Sequence, residues 1–123
     1  MHYQLPPACE TKIIQCIRGK VFDIMVDIRA DSPTFMQWHS VELSKNSMRM
    51  VYIPEGFAHG FQALTNNVEM LYHHSQFYSS EYSRVLRFDD PVLAIGWPLP
   101  VGVISSQDQS SPLTDTNFKG VKI

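Results

Sequence analysis

The chain has 123 residues, of which 44% are hydrophobic and 18% charged, and its formal net charge is −2. A chain of this length forms one domain with its own core, and the composition is that of a folded globular protein rather than a disordered segment. The ten Lys and Arg residues form no dense cluster, which argues against a nucleic-acid-binding surface. No apolar run of about 18 residues occurs, so no association with a membrane is expected either.

The two cysteines, Cys9 and Cys16, match neither a zinc-binding pattern nor a CxxC redox pair. Disulfides are typical of secreted proteins and rare in reducing compartments. We therefore expect two reduced thiols and a cytoplasmic protein.

Alternating hydrophobicity predicts short strands throughout the chain. The chain opens with a short extended segment that carries His2 and Gln4 on one side. The segments that follow are KIIQCIRG (12–19), FDIMVDIR (22–29), WHSVELS (38–44), MRMVYIP (48–54), GFQALT (60–65), VEMLYHHSQFY (68–78) and, weakly, VGVIS (101–105).

The clearest of these strands is FDIMVDIR, because its side chains alternate strictly with a period of two. One face carries Phe22, Ile24, Val26 and Ile28, and the other carries Asp23, Met25, Asp27 and Arg29. The pattern indicates a strand whose two faces lie in different environments.

Turn-forming residues separate the predicted strands, and no long amphipathic helix is present. Many short strands with frequent turns are typical of an antiparallel sandwich or barrel. We predict an all-β protein, and among such folds a jelly roll fits best. The last residues, 110–123, show no clear periodicity and are expected to be loosely ordered.

Polar side chains that point into a small barrel are informative, since burying one without a partner costs roughly 1–3 kcal/mol. Lys12, His59 and Tyr72 are candidates of this kind. Each alone has a simpler interpretation, because a single histidine is more often a surface or core residue than a catalyst. His73 and His74 lie on opposite faces of a strand and so cannot clamp one metal ion together.

The stretches HYQLPP, VDIRADSPTF, PEGFAHGF and ISSQD are similar to motifs of the dTDP-4-dehydrorhamnose 3,5-epimerase family. The resemblance extends over nearly the whole chain. It implies a cupin-type jelly-roll barrel, a homodimer, and a reaction that uses no metal or organic cofactor. It further implies a nucleotide-sugar substrate, a dTDP-linked 4-keto-6-deoxyhexose of rhamnose-type biosynthesis, with inversion at C3, at C5 or at both.

The resemblance assigns a role to each matching residue. His2 corresponds to the base that removes the proton beside the ketone, and Asp108 to the carboxylate that pairs with it. Lys12 corresponds to the cation that stabilises the enolate oxygen, and Tyr72 to the donor on the opposite face. The expected substrate-binding residues are Gln4, His59 and Tyr78.

The chain departs from the family pattern at its beginning, where the arginine before the histidine and the preceding amino-terminal region have no counterpart. We expect one amino-terminally shortened domain over residues 1–123. Two interpretations remain open from the sequence: an active epimerase, or a catalytically weak relative that binds a sugar nucleotide or serves in assembly. A metal-dependent cupin enzyme is not expected, because the sequence has no HxH motif followed by a glutamate and a distal histidine.

Overall fold

The computed structural model describes all residues from 1 to 123 and contains eight strands and almost no helix. The strands are His2–Gln4 (β1), Lys12–Arg18 (β2), Lys20–Asp27 (β3), Trp38–Ser44 (β4), Met50–Ile53 (β5), Phe57–Ala63 (β6), Glu69–His74 (β7) and Ser83–Val85 (β8). A 3₁₀ turn covers Lys45–Ser47, and the single α-helix, α1, covers Ser106–Ser110. Neither has the length and hydropathy needed to cross a bilayer.

The strands form two sheets. The five-stranded sheet has the order β4-β3-β6-β1-β8, and the three-stranded sheet has the order β5-β2-β7. Every pair of neighbouring strands is antiparallel, so the predicted all-β barrel of antiparallel strands is confirmed. β1 lies between β6 and β8, and His2 is paired with both His59 and Val85. The beginning of the chain is therefore fixed within a sheet.

One hydrophobic core fills the space between the two sheets. Ile14 and Ile53 enter it from the three-stranded sheet, and Val21 and Leu43 enter it from the five-stranded sheet; all four are at most 1% exposed. Burying an aliphatic side chain of this size stabilises the fold by about 1.5–3 kcal/mol. This core holds the sheets face to face around the space that the polar side chains enter.

A second core covers the outer face of the five-stranded sheet. Ile24 and Val26 of β3 pack there against Leu86, Leu93 and Val121 from the carboxyl-terminal half of the chain. The alternation predicted for FDIMVDIR is thus correct, but both faces of the strand are buried. Asp23 and Asp27, on its more polar face, point away from this core and are also at most 1% exposed.

Two expectations about the later part of the chain are wrong. VGVIS (101–105) forms no strand, because no neighbouring strand pairs with it, and it runs as an exposed segment into α1. The last residues are not loosely ordered, since Val121 bridges to Arg29 and is 7% exposed. Gly120 permits this approach: its φ is +89°, and a Cβ atom there would lie 2.8 Å from the backbone nitrogen of Ala30.

The turn after β3 is organised by one buried carboxylate. Asp27 accepts hydrogen bonds from Arg29 Nη2 at 2.7 Å, and from Ser32 Oγ and Thr34 Oγ1 at 2.6 Å each. The Arg29 guanidinium also lies 4.8 Å above the ring of Phe57. Burial alone would raise the pKa of Asp27, but these hydrogen bonds outweigh it and lower that pKa well below its usual range.

We expect Asp27→Asn to destabilise the protein at pH 7 by about 1–3 kcal/mol, because Arg29, Ser32 and Thr34 all lose a charged acceptor. The pKa of Asp27 is lower in the folded state than in the unfolded state. Its contribution to the free energy of unfolding is therefore complete above the unfolded-state pKa of about 3.9 and is lost as pH falls towards the folded-state value. In urea unfolding, the difference in the free energy of unfolding between Asp27→Asn and the wild type should be constant between pH 7 and about pH 4. Below about pH 4 this difference should become smaller. Asp31→Asn, at a neighbouring exposed carboxylate, is the control and should show neither effect.

Candidate active site

A cavity of about 1330 Å³ opens between the two sheets. β1 and β6 of the five-stranded sheet and β7 of the three-stranded sheet contribute to its wall, together with the segment that leads into α1. Besides Tyr3, the ionisable residues that line it are His2, Glu10, Lys12, His59, Tyr72, His74, Tyr78 and Asp108. Six of these were predicted as site residues from the sequence, and Gln4, the seventh, lines the same cavity.

His2 and Asp108 form a close pair at this cavity. Because side chains alternate along β1, His2 turns into the cavity while Met1 and Tyr3 enter the outer core. His2 Nε2 lies 2.6 Å from Asp108 Oδ1, and the other carboxylate oxygen accepts a hydrogen bond from Ser105 Oγ at 2.7 Å. Burial would raise the pKa of Asp108, but the hydrogen bonds from Ser105 and His2 lower it. The lowered pKa keeps the carboxylate charged, so it accepts the Nε2 proton of His2. In the neutral form of the imidazole this tautomer carries its lone pair on Nδ1.

Lys12 brings a positive charge into the cavity. Its side chain is 6% exposed, and its ammonium lies 3.1 Å from Glu10 Oε1 and donates to the backbone oxygen of His2 at 3.2 Å. The strand register explains the position, since β2 pairs with β7 and sets Lys12 opposite His74. Two oxygen atoms, one from Glu10 and one from the backbone of His2, therefore hold the ammonium beside β1.

His59 lies deeper in the same cavity and is paired with Asp23 of the neighbouring strand β3. His59 Nε2 is 2.8 Å from Asp23 Oδ2, and both side chains are at most 4% exposed. Burial lowers the pKa of His59, against the opposing effect of Asp23. A neutral His59 donates its Nε2 proton to Asp23 and keeps Nδ1 as an acceptor.

Tyr72 enters the cavity from β7, in the sheet that faces β1. Its ring meets the ring of His59 edge-on at 5.8 Å and stacks on the ring of His74 at 5.6 Å with an interplanar angle of 10°. Burial, and then the negative charge of Asp23, raise the pKa of Tyr72 well above its usual value. The phenol is therefore protonated at neutral pH.

Gln4 and Tyr78 differ in their surroundings. The Gln4 amide donates to the backbone oxygens of Ala8 and Phe77 and accepts from the backbone nitrogen of Ser79 at 2.6 Å. Gln4 thus anchors the loop that follows β7. Tyr78 lies in this loop at the cavity wall and is 75% exposed, so its ring is accessible to a ligand.

Three site residues were not among the sequence candidates: Glu10, Asp23 and His74. The period of two contained a signal for two of them, because Glu10 lies two residues before Lys12 and His74 two residues after Tyr72. Asp23 appeared only as the polar face of a strand, and its partner His59 is distant in sequence. No group of three or more His, Cys, Asp or Glu side chains is arranged to hold a metal ion.

This arrangement is suited to proton transfer at carbon. An imidazole oriented by a carboxylate can accept a proton, a nearly buried ammonium can stabilise an oxyanion, and a protonated phenol on the facing sheet can donate a proton. The three groups line one cavity, and they come from two opposing sheets.

The family match and similar curated proteins point to the same family. Residues 1–115 match the family described as dTDP-4-dehydrorhamnose 3,5-epimerase. A curated protein of that name from Sinorhizobium fredii is 41% identical over 113 residues, covering 91% of this chain and 58% of its own length.

Solved structures of similar proteins have the same fold. One is a dTDP-6-deoxy-D-glucose-3,5-epimerase from Legionella pneumophila in complex with dTDP-4-keto-L-rhamnose, with a TM-score of 0.88 and 37% identity over 99% of this chain and 66% of its own. Another is a 3'-monoepimerase from Streptomyces bikiniensis in complex with dTDP-quinovose, with a TM-score of 0.85 and 31% identity over 91% of this chain and 57% of its own.

These similarities confirm the cupin-type jelly roll. The chain spans about three fifths of the length of the curated relative from S. fredii. Because the family match covers 115 of the 123 residues, the chain belongs to the dTDP-4-dehydrorhamnose 3,5-epimerase family.

Proposed function

We propose that this protein is an epimerase that acts at C3, at C5 or at both centres of a dTDP-linked 4-keto-6-deoxyhexose. One observation carries the proposal: His2 of β1 and the protonated Tyr72 of the facing sheet line a single cavity that also holds the Lys12 ammonium. Asp108 of α1 pairs with His2 at this cavity. A base and an acid on opposite walls are what inversion at a carbon beside a ketone requires.

Proton removal is assigned to His2. The carbon-bound protons at C3 and C5 are acidified by the carbonyl at C4, and a base near neutral pH can remove them. Asp108 accepts the Nε2 proton of His2, which selects the neutral tautomer with its lone pair on Nδ1 as the form that acts as base. As the imidazolium forms, the same carboxylate stabilises its charge.

Stabilisation of the enolate is assigned to Lys12. Removing either proton places negative charge on the C4 oxygen, and a preorganised cation lowers the energy of that charge most effectively where water is excluded. The Lys12 side chain is only 6% exposed, so its charge is weakly screened. Neutral His59 offers a further polar contact from β6, in the facing sheet.

Return of the proton is assigned to Tyr72. Its raised pKa keeps the phenol protonated until a strong base, the enolate carbon, is presented. Because Tyr72 belongs to the sheet that faces β1, the proton arrives on the face opposite to the one that His2 deprotonates. The configuration of the carbon is therefore inverted.

The size and the rim of the cavity fit a nucleotide-linked sugar. Its volume of about 1330 Å³ exceeds the roughly 300–1,000 Å³ of common small-molecule pockets. The exposed rings of Phe77 and Tyr78 are available to stack on a base. The ligands of the two related structures, dTDP-4-keto-L-rhamnose and dTDP-quinovose, support a dTDP-sugar substrate of deoxysugar biosynthesis.

Incubation with dTDP-4-keto-6-deoxyglucose in heavy water tests the proposal. The wild type should incorporate deuterium at C3, C5 or both, and the labelled centre should invert. His2→Ala should abolish exchange, and Asp108→Asn should leave a residual rate. Tyr72→Phe should keep deuterium exchange with retention but slow inversion by about 10²–10⁴-fold. NMR of the sugar protons measures both quantities.

Two variants serve as controls for this experiment. His39→Ala removes an exposed histidine of β4, and Tyr82→Phe removes a phenol that does not line the cavity; both should behave as the wild type. If the wild type exchanged neither carbon, the epimerase assignment would be wrong, and the interpretation as a binding or assembly protein would be favoured. Full exchange by His2→Ala would mean that another residue is the base.

We further propose that the protein forms a homodimer through the outer face of its three-stranded sheet. This face presents apolar side chains from all three strands, among them Ile13 and Ile17 of β2, Met50 and Tyr52 of β5, and Leu71 of β7; they are between 37% and 66% exposed. A contiguous apolar sheet face is a typical protein–protein contact, and a self-complementary contact closes with two-fold symmetry.

Met50→Glu should convert the dimer to a monomer, because a charge would be buried within the contact without a partner. Sedimentation equilibrium at micromolar concentration measures the mass. Val92→Glu is the matched control, since Val92 is also 62% exposed but lies outside this sheet. A wild-type monomer, or a Met50→Glu dimer, would contradict the proposed contact.

The free thiols Cys9 and Cys16 support the further proposal that the protein works in the cytoplasm, where cysteines stay reduced.

A further inference from the structure

Glu10 occupies a central position among the charged groups of the cavity. One carboxylate oxygen lies 3.1 Å from the Lys12 ammonium, and the other lies 2.7 Å from Nδ1 of His74. The Glu10 side chain is 11% exposed. A carboxylate so far removed from water makes strong, poorly screened contacts, and this one connects two different strands.

The strand pairing explains why one carboxylate reaches both groups. Lys12 and His74 are direct partners in the register of β2 and β7, and Glu10 precedes Lys12 by two residues. The carboxylate therefore lies at the end of this strand pair. Because a carboxylate only accepts, Nδ1 of His74 carries the proton of the short contact.

His74 in turn forms one side of the contact around Tyr72. The two rings are nearly parallel, with an angle of 10° and a centroid separation of 5.6 Å, while the ring of His59 meets Tyr72 edge-on from another direction. The Tyr72 hydroxyl has no hydrogen-bond partner within the protein. Its ring orientation is thus set by the two flanking imidazoles rather than by its own hydroxyl.

We propose that Glu10 and His74 are positioning residues for the reaction. Glu10 holds the ammonium of Lys12 with one oxygen and the ring of His74 with the other, and His74 orients the phenol of Tyr72 by stacking. The inference rests on the proposed function, to which it adds a link between the enolate-stabilising cation and the proton donor.

Loss of Glu10 and loss of His74 should affect proton exchange and inversion differently. Displacement of Lys12 weakens the stabilisation of the enolate, on which exchange and inversion both depend. Displacement of Tyr72 affects only the return of the proton on the far face. Losing Glu10 should therefore slow both processes, whereas losing the His74 ring should slow inversion more than exchange.

Three variants separate these effects. Glu10→Gln keeps the shape and an oxygen acceptor for His74 but removes the charge that holds Lys12. His74→Ala removes the stacked ring, and His74→Phe restores a flat ring without the hydrogen bond to Glu10. Glu42→Gln and His39→Ala, at exposed positions of β4, are the matched controls.

In heavy water, Glu10→Gln should lower kcat for exchange and inversion alike, by up to about 10²-fold, with KM unchanged. His74→Ala should lower the ratio of inversion to exchange, and His74→Phe should recover most of it. A purely structural role would lower the thermal stability of these variants but leave the ratio and the kcat of the folded protein at the wild-type level; that result would overturn the proposal.

NMR of ¹³C-labelled tyrosine rings decides the positioning of Tyr72 without turnover. Tyr72 is assigned by its absence from the Tyr72→Phe spectrum. Its ring should flip slowly in the wild type and in His74→Phe, and quickly in His74→Ala. Equal flipping rates in all three would overturn the proposal, whereas a wild type with slow flipping and no exchange would overturn the proposed function and leave the positioning intact.

Discussion

Every charged side chain that this barrel takes away from water needs a partner of opposite charge or a set of donors. An unpaired buried charge costs several kcal/mol, because the interior supplies little solvation. The cavity meets this requirement with three imidazole–carboxylate pairs and one ammonium: His2 with Asp108, His59 with Asp23, and Lys12 and His74 with Glu10. The positions of the polar groups follow from this constraint as much as from the strand geometry.

One carboxylate oxygen in this set of pairs has no hydrogen-bond donor, and it belongs to a residue that affects the pKa of Tyr72. Asp23 Oδ1 is buried without a hydrogen-bond partner, which leaves part of the desolvation cost uncompensated. The same carboxylate contributes to the raised pKa of Tyr72. An interaction that costs stability within the barrel thus helps to keep the phenol protonated.

Much of the fold followed from the sequence, because strand periodicity and turn residues are local signals. The strands around 12–18, 22–27 and 38–44 could be located in this way, and so could the shared side on which His2 and Gln4 lie. The sequence did not show that Val121 closes onto Arg29, since this bridge depends on a close backbone approach at Gly120. The strand predicted over residues 68–78 was also too long, since β7 ends at His74.

The site was predictable to the extent that motifs identify single residues. The resemblance assigned His2, Lys12, Tyr72 and Asp108, and the structure brings all four to one cavity. It could not assign Glu10, because the meaning of that residue depends on the register between β2 and β7. Partners that meet across two strands become visible only when the pairing is known.

The burial of both faces of β3 has a consequence for folding fidelity. A slip of one residue against β4 or β6 would move Asp23 and Asp27 into the apolar layer under Leu86 and Leu93, and would place Ile24 where a carboxylate now meets His59. Each displaced carboxylate would lose its hydrogen-bond donors, so states in which this strand is mispaired have a much higher free energy than the native state. The two aspartates thus disfavour wrong alignments of β3, the strand that joins β4 to the rest of the five-stranded sheet.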